Sequence, residues 1–359
     1  MGQGGFDVII GNPPWREYAA VRRTYQVRDY TTEVCGNLHS LCTERALALR
    51  SAMGRMSFIV QLPLASSSRM ESVGSVLRQR SNSLHVIPFD DCPGKLFEGL
   101  QNCRSVIFLS EAPRHGEARL FTTGYQRWPT QTRPYLFPRI EYARVFKAGL
   151  YPGLFPKYAT DSEVAIFTKV LEKSDTTIGN LTTQRPTPHF IFYQEATRYW
   201  VKATIGLPYY AKDGVVGPPA HGRYVYFDNP QTVATICAIL NSSLFYVYFI
   251  AYGDCFHLSD TLVSGFPIPS ELSTDKRLAS LGERLQTSLT ANAEHKTIHT
   301  RDGSEITYAE FFVAESKPIL NEIDRALAEH YGFIDEELDF IINYDIKYRM
   351  GQEDGEQEA

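Results

Sequence analysis

The chain has 359 residues, a formal net charge of −5, a pI near 6.0, 43% hydrophobic and 13% aromatic residues. That composition excludes a disordered chain and points to two or three globular domains, while the bulk charge counts against a dedicated basic nucleic-acid binder. Six cysteines without a C-x-x-C pair indicate neither a zinc knuckle nor a disulfide framework, the longest apolar runs (such as 244–251) are too short to span a bilayer, and no charged-then-apolar leader is present, so a reduced cytoplasmic setting is expected.

Taken in chain order, residues 6–10 read as a short buried strand, and Asn12-Pro13-Pro14-Trp15 follows it directly. The two prolines fix their backbone angles and lack N–H donors, which leaves carbonyl oxygens free to face a pocket. The Asn12 side chain offers a second acceptor and Trp15 a flat apolar face. A planar aromatic amine fits such a corner. A helix is expected over 37–52, with Gly54 as its stop, then a strand over 56–62. A helix over 70–79, a strand over 83–89, a loop over 90–94 and a strand over 105–109 complete an α/β layer with a mainly parallel sheet.

From 111 to 157 six prolines alternate with aromatics and arginines, the texture of a linker too apolar to stay solvated. Beyond it the spacing predicts helices over 161–171, 231–241, 275–291, 314–331 and 335–344, and strands over 187–193 and 224–227. The aromatic run at 245–249 suits core packing. Arg16, Arg22, Arg23 and Arg28 gather behind the Asn-Pro-Pro-Trp run, whereas the acidic residues gather at the C-terminal end as a solvated face. His295 and His299 stand four apart with no third ligand nearby, so no metal site is expected.

These motifs resemble the amino-methylating DNA methyltransferases, in particular the N6-adenine enzymes of the type IIG restriction–modification group. The resemblance runs through Asn12-Pro13-Pro14-Trp15, Asn37-Leu38, the strand at 56–60, Gly94-Lys95-Leu96-Phe97-Glu98-Gly99-Leu100, Leu240-Asn241-Ser242-Ser243-Leu244-Phe245, Phe266-Pro267-Ile268-Pro269 and Asn343-Tyr344-Asp345-Ile346. It implies an α/β fold: a partial Rossmann-like methyltransferase sheet whose final strands can form an antiparallel hairpin, then an α+β target-recognition domain and C-terminal helices. The corresponding divisions are 1–112, a linker over 113–157, 158–272 and 273–359.

The resemblance implies catalytic roles for Asn12, Pro13 and Trp15, and a second stacking aromatic in Phe97. It implies S-adenosyl-L-methionine (SAM) as cofactor and double-stranded DNA as partner. The family places its SAM site in a Gly-rich strand–loop–helix before the Asn-Pro-Pro run. Here Gly2-Gln3-Gly4-Gly5 has no preceding strand and reads as a lead-in. The SAM site is therefore expected to be incomplete in this chain, its first half either removed or supplied by a complementary chain carrying the SAM-binding half.

The N6 amine of adenine is a weak nucleophile because its lone pair is delocalised into the ring. Two acceptors on its hydrogens, the Asn12 side chain and the Pro13 carbonyl, would turn that lone pair toward a methyl donor and relieve the developing positive charge. A base flipped from duplex DNA needs aromatic faces, supplied by Trp15 and Phe97. Arg16, Arg22 and Arg23 are candidates for phosphate contacts, and His189, Tyr193, Arg198 and Tyr199 for base contacts by composition alone. No constellation of Asp, Glu and Lys resembles a nuclease site. A non-catalytic DNA-binding specificity subunit and an inactive truncated methyltransferase remain as alternatives.

Overall fold

The computed structural model describes residues 4–98, 103–114, 119–146, 153–197 and 199–349. Gly2, Gln3, Gly99, Leu100 and Arg198 of the sequence analysis, with the last acidic residues, lie outside them. The chain divides into two compact units, one of residues 1–165 with 250–254, the other of 166–249 with 255–359.

The first unit is built on a six-stranded sheet in the order β1-β2-β4-β3-β5-β6. Its strands are β1 (Phe6–Gly11), β2 (Arg50–Gln61), β3 (Ser83–Phe89), β4 (Ser105–Glu111), β5 (Arg119–Thr122) and β6 (Ala143–Val145). The helices α1 (Leu38–Leu49), α2 (Pro63–Ser66) and α3 (Glu71–Gln79) connect the first three strands. The β1–β2 and β3–β5 pairings are parallel, and the other three are antiparallel. The α/β class stands; the last two expected strands, β3 and β4, pair antiparallel as the resemblance implies, and further antiparallel pairs make the sheet mixed rather than mainly parallel. Register puts Met56, Phe58, Val60, Val86, Val106 and Phe108 on one face, all buried. That face is the unit's core. Segment 113–157 contributes β5 and β6 to this sheet.

Helix α1 starts where the Asn37 side chain accepts the His39 N–H at 3.1 Å. It ends at Leu49, three residues before the expected end, and Arg50 opens β2. Pairing with Phe6 and the Arg50 guanidinium on Ser110 O (3.1 Å) and Oγ (2.6 Å) draw that stretch into the sheet. Sheet hydrogen bonds override the helical spacing there.

The second unit mixes small sheets with helices. Helix α4 (Asp161–Lys173), which belongs to this unit from Ile166 onward, leads to β7 (Thr176–Thr177), which pairs with the distant β13 (Pro267–Ile268). Strands β8 (Phe190–Gln194), β9 (Ala203–Ile205) and β12 (Gly222–Tyr226) form an antiparallel three-stranded sheet. A second sheet joins β10 (Tyr210–Lys212), β11 (Val215–Val216), β14 (Glu294–His299) and β15 (Glu305–Glu310). Helices α5 (Pro230–Asn241), α6 (Ser243–Tyr252, in this unit as far as Phe249), α7 (Asp260–Gly265), α8 (Lys276–Ala291), α9 (Lys317–Tyr331), α10 (Asp335–Asn343) and α11 (Ile346–Arg349) supply the rest.

The aromatic run 245–249 lies within α6 and is buried throughout, in the core role expected of it. Helix α8 approaches α5 so closely that a Cβ on Gly282 would stand 2.0 Å from Ala234 O. The C-terminal region is not purely helical, because β14 and β15 form a hairpin there. Among the described residues no single helix is long and apolar enough to cross a membrane.

Candidate functional site

The Asn-Pro-Pro-Trp corner sits where β1 ends. Gly11 closes the strand beside Phe58, whose Cε1 would lie 3.2 Å from an added Cβ. Pro13 is then buried, Asn12 and Pro14 are exposed, and Trp15 is half-buried. Trp15 Nε1 donates to Ile59 O at 3.4 Å, which ties the indole to β2. The chain leaving the corner is pinned to the start of α1. Leu38 N donates to Arg16 O at 2.9 Å, and Tyr18 N donates to Gly36 O at 2.8 Å. Gly36 has a left-handed backbone (φ +61°) with Arg69 packed against it, and Arg69 pairs with Glu17. The Asn12 amide makes no hydrogen bond within the described protein, so its oxygen is free for a ligand donor.

Phe97 reaches the same corner from the loop after β3. Its ring meets Trp15 edge to face, with centroids 5.7 Å apart and planes at 79°. The two aromatics expected from sequence are thus brought together, but as an L and not as two parallel leaves. A base stacked on both would need rings about 7 Å apart and parallel, twice the contact separation. One ring can take the face of a planar ligand while the other borders its edge.

The loop between β3 and Phe97 begins with two buried carboxylates, Asp90 and Asp91. Asp90 pairs with Arg127 at 2.9 Å and Arg104 at 3.4 Å, and Asp91 Oδ2 accepts the Cys103 N–H at 2.8 Å. Charge pairing on both sides makes this loop part of the folded core rather than a free tip. Nothing in the sequence spacing singles out these partners, which come from the two residues before β4 and from the segment before residue 130.

Beside the corner, β1 is an edge strand with apolar side chains in solvent: Phe6 is 58%, Val8 62% and Ile10 78% exposed. An open apolar groove of about 760 Å³ runs between β1 and α1, lined by residues such as Ile9, Leu41, Ala46 and Leu49. A second, of about 360 Å³, lies on the opposite face, where Ile10 neighbours Ser57 and Leu109. Parallel strands are ordinarily covered on both faces, so β1 presents three uncovered surfaces that a continuing sheet would use. SAM carries a sulfonium, an amino-acid end and a ribose. The larger groove has Thr24, Arg45 and two tyrosines among its polar lining and, among the described residues, no carboxylate for the ribose or ammonium. The described residues can wall one side of such a molecule and do not by themselves make its site.

Of the remaining candidates, Arg16, Arg22 and Arg23 are exposed. Tyr193 is buried, and its hydroxyl donates to Asp260 Oδ1 at 2.5 Å. Burial and the Asp260 carboxylate push its phenol pKa far up. Arg223 bridges Asp260 and Glu195 at 2.9 Å each. Tyr193 is therefore a structural anchor, which corrects its place among the base-contact candidates.

Residues 1–92 match the Eco57I restriction-modification methylase family. No curated protein matches the chain. Among solved structures, the type IIL restriction-modification enzyme MmeI in complex with DNA aligns with a TM-score of 0.53 at 10% identity, over 95% of this chain and 57% of that one. The type IIG restriction endonuclease BpuSI aligns at 0.31 and 10% identity, over 95% and 54%. A nuclease-deletion mutant of the type ISP restriction-modification enzyme LlaGI, in complex with a DNA substrate mimic, aligns at 0.41 and 9% identity, over 84% and 46%. The chain thus spans about half the length of these structures. The MmeI alignment extends the likeness of fold over nearly the whole chain, and the first 92 residues carry the methylase match.

Proposed function

We propose that this chain supplies the adenine pocket and the target-recognition region of a site-specific N6-adenine DNA methyltransferase in a restriction–modification or phage-defence system. The observation that carries this is the corner itself: an exposed Asn12 amide, a buried Pro13 and the Trp15 indole at the end of a parallel strand. The methylase match over 1–92 and the MmeI-like fold support it.

In this role the Asn12 side-chain oxygen and the Pro13 carbonyl accept the two amine hydrogens of a flipped adenine. Trp15 takes the face of the base and Phe97 borders its edge. Holding both hydrogens in place turns the nitrogen lone pair out of conjugation, and the acceptors stabilise the charge that builds on nitrogen. No strong general base is needed. SAM, when bound, supplies an electrophilic methyl group. Its site is completed by residues outside those described, from a further segment or a complementary chain that covers the open edge of β1.

The test is to combine the chain with candidate complements, duplex DNA and tritiated SAM, and to identify the methylated nucleoside. Asn12→Ala should abolish formation of N6-methyladenine while leaving DNA binding near wild type. Full turnover by the variant removes the assigned role. The lack of a carboxylate among the described residues of the groove favours one second reading, a specificity subunit that binds DNA without methylating it. Sequence-specific binding with no methyl transfer in any combination selects that reading.

A further inference from the structure

We propose that Arg133 is a positioning residue for the aromatic corner, acting through the backbone of residues 94–97; this rests on the base-pocket assignment above. Arg133 lies in the segment expected from sequence to be a linker. Its guanidinium donates from Nη1 to Lys95 O at 2.5 Å and from Nη2 to Leu96 O at 2.8 Å. A planar fork with two fixed N–H vectors holds two consecutive carbonyls as a single ammonium does not. Phe97 is the next residue.

The same segment grips the loop at two more points. Gly94 N donates to Trp128 O at 2.8 Å, and an added Cβ on Gly94 would stand 2.4 Å from Trp128 Nε1. Leu96 packs against the buried cluster of Ile87, Phe89, Trp128 and Leu136. Three consecutive residues before Phe97 are thus held from residues 128–136: Gly94 by Trp128, Lys95 by Arg133, and Leu96 by Arg133 and the cluster to which Trp128 and Leu136 belong. Phe97 itself rests on Trp15. The stretch is a brace that sets where the Phe97 ring stands, and Arg133 supplies its side-chain hydrogen bonds.

The experiment uses the full chain labelled with 5-fluorotryptophan. The Trp15 fluorine resonance is assigned with Trp15→Phe and titrated with adenosine. Wild-type protein should show a Trp15 shift on adenosine that Asn12→Ala weakens strongly. Arg133→Ala should move the ligand-free Trp15 resonance, leave the Trp200 resonance in place and weaken adenosine binding about fivefold. Arg133→Lys should restore part of both effects, which general loss of stability does not explain. Arg133→Gln, close in length, is measured alongside and carries the comparison if Arg133→Ala unfolds.

An unchanged Trp15 resonance and affinity in the Arg133 variants would overturn the brace while leaving the pocket standing. Absence of any adenosine response in the wild type would overturn the pocket, and the positioning role with it; the ligand-free Trp15 shift would then report only a structural contact.

Discussion

The Phe97 ring stands edge-on to the Trp15 indole, 5.7 Å away and at 79°, so the two residues form a corner and not a slot. Only one of them can stack on the face of a bound base in this arrangement. An edge-to-face aromatic pair is worth ~0.5–1.5 kcal/mol beyond area burial. Phe97→Ala should therefore reduce kcat/KM for methylation in the completed enzyme by about tenfold, the equivalent of ~1.4 kcal/mol. Phe97→Tyr, which keeps the ring, should remain within about twofold. Steady-state kinetics with both variants check this, and equal losses for Ala and Tyr would rule out a role for the ring edge.

Ile10 and Ser57 are register partners across β1 and β2, yet Ile10 is 78% exposed. A lysine there buries nothing new in the isolated chain, so Ile10→Lys should leave its melting temperature within about 2 °C, as surface substitutions do. If a strand or helix covers β1 in the complete enzyme, the same change puts a charge into that contact. Complementation of methyl transfer should then fall at least about tenfold. Normal complementation by Ile10→Lys would place the missing contacts away from this strand.

Much of the first unit is legible in the sequence because its strands are short apolar runs bounded by turns. Residues 83–89 become β3 with the expected bounds, and the Asn-Pro-Pro-Trp corner stands at a strand end. Long-range pairing is not legible in the same way. Arg50 fits the helical spacing of α1, but its guanidinium binds β4, and the strand begins there. The hairpin β14–β15 escapes because every residue of β14 is exposed and the stretch has no apolar face to give it a period. Its turn signal is Asp302-Gly303, where Gly303 takes φ +86°. In the candidate site, the composition of the corner marks Asn12 and Trp15, whereas Arg133 is one of many arginines until its two carbonyl partners are seen.

Gly94 offers a test of the loop that carries Phe97. Its missing Cβ would meet Trp128 Nε1 at 2.4 Å and Trp128 O at 2.5 Å. One of these atoms is backbone, so a flexible side chain cannot simply give way. Gly94→Ala should cost about 1–3 kcal/mol, the usual range for overpacking. Chemical denaturation should show this loss, and tryptophan emission should change as Trp128 is displaced. A variant as stable as the wild type would mean that Gly94 and Trp128 separate at little cost.

His39 supplies a pH dependence whose sign follows from burial. The ring is fully buried at the start of α1, and neither nitrogen has a hydrogen-bond partner within the described protein. Burial lowers its pKa from 6.5 to about 4, with Glu17 opposing the shift and Arg69 adding to it. Above pH 6.5 the histidine is neutral in both folded and unfolded chains. Below 6.5 the unfolded chain takes up a proton that the folded one refuses, so stability falls as pH falls and levels out near pH 4. Between pH 7.5 and 5.5 this one group should remove about 1 kcal/mol, at ~1.4 kcal/mol per unit once the unfolded histidine is charged. His39→Leu removes both the titration and two unsatisfied nitrogens. Urea unfolding at pH 7.5, 6.5 and 5.5 should therefore give the variant a shallower decline than the wild type. Parallel declines would show that His39 finds a proton-stabilising partner in the folded state.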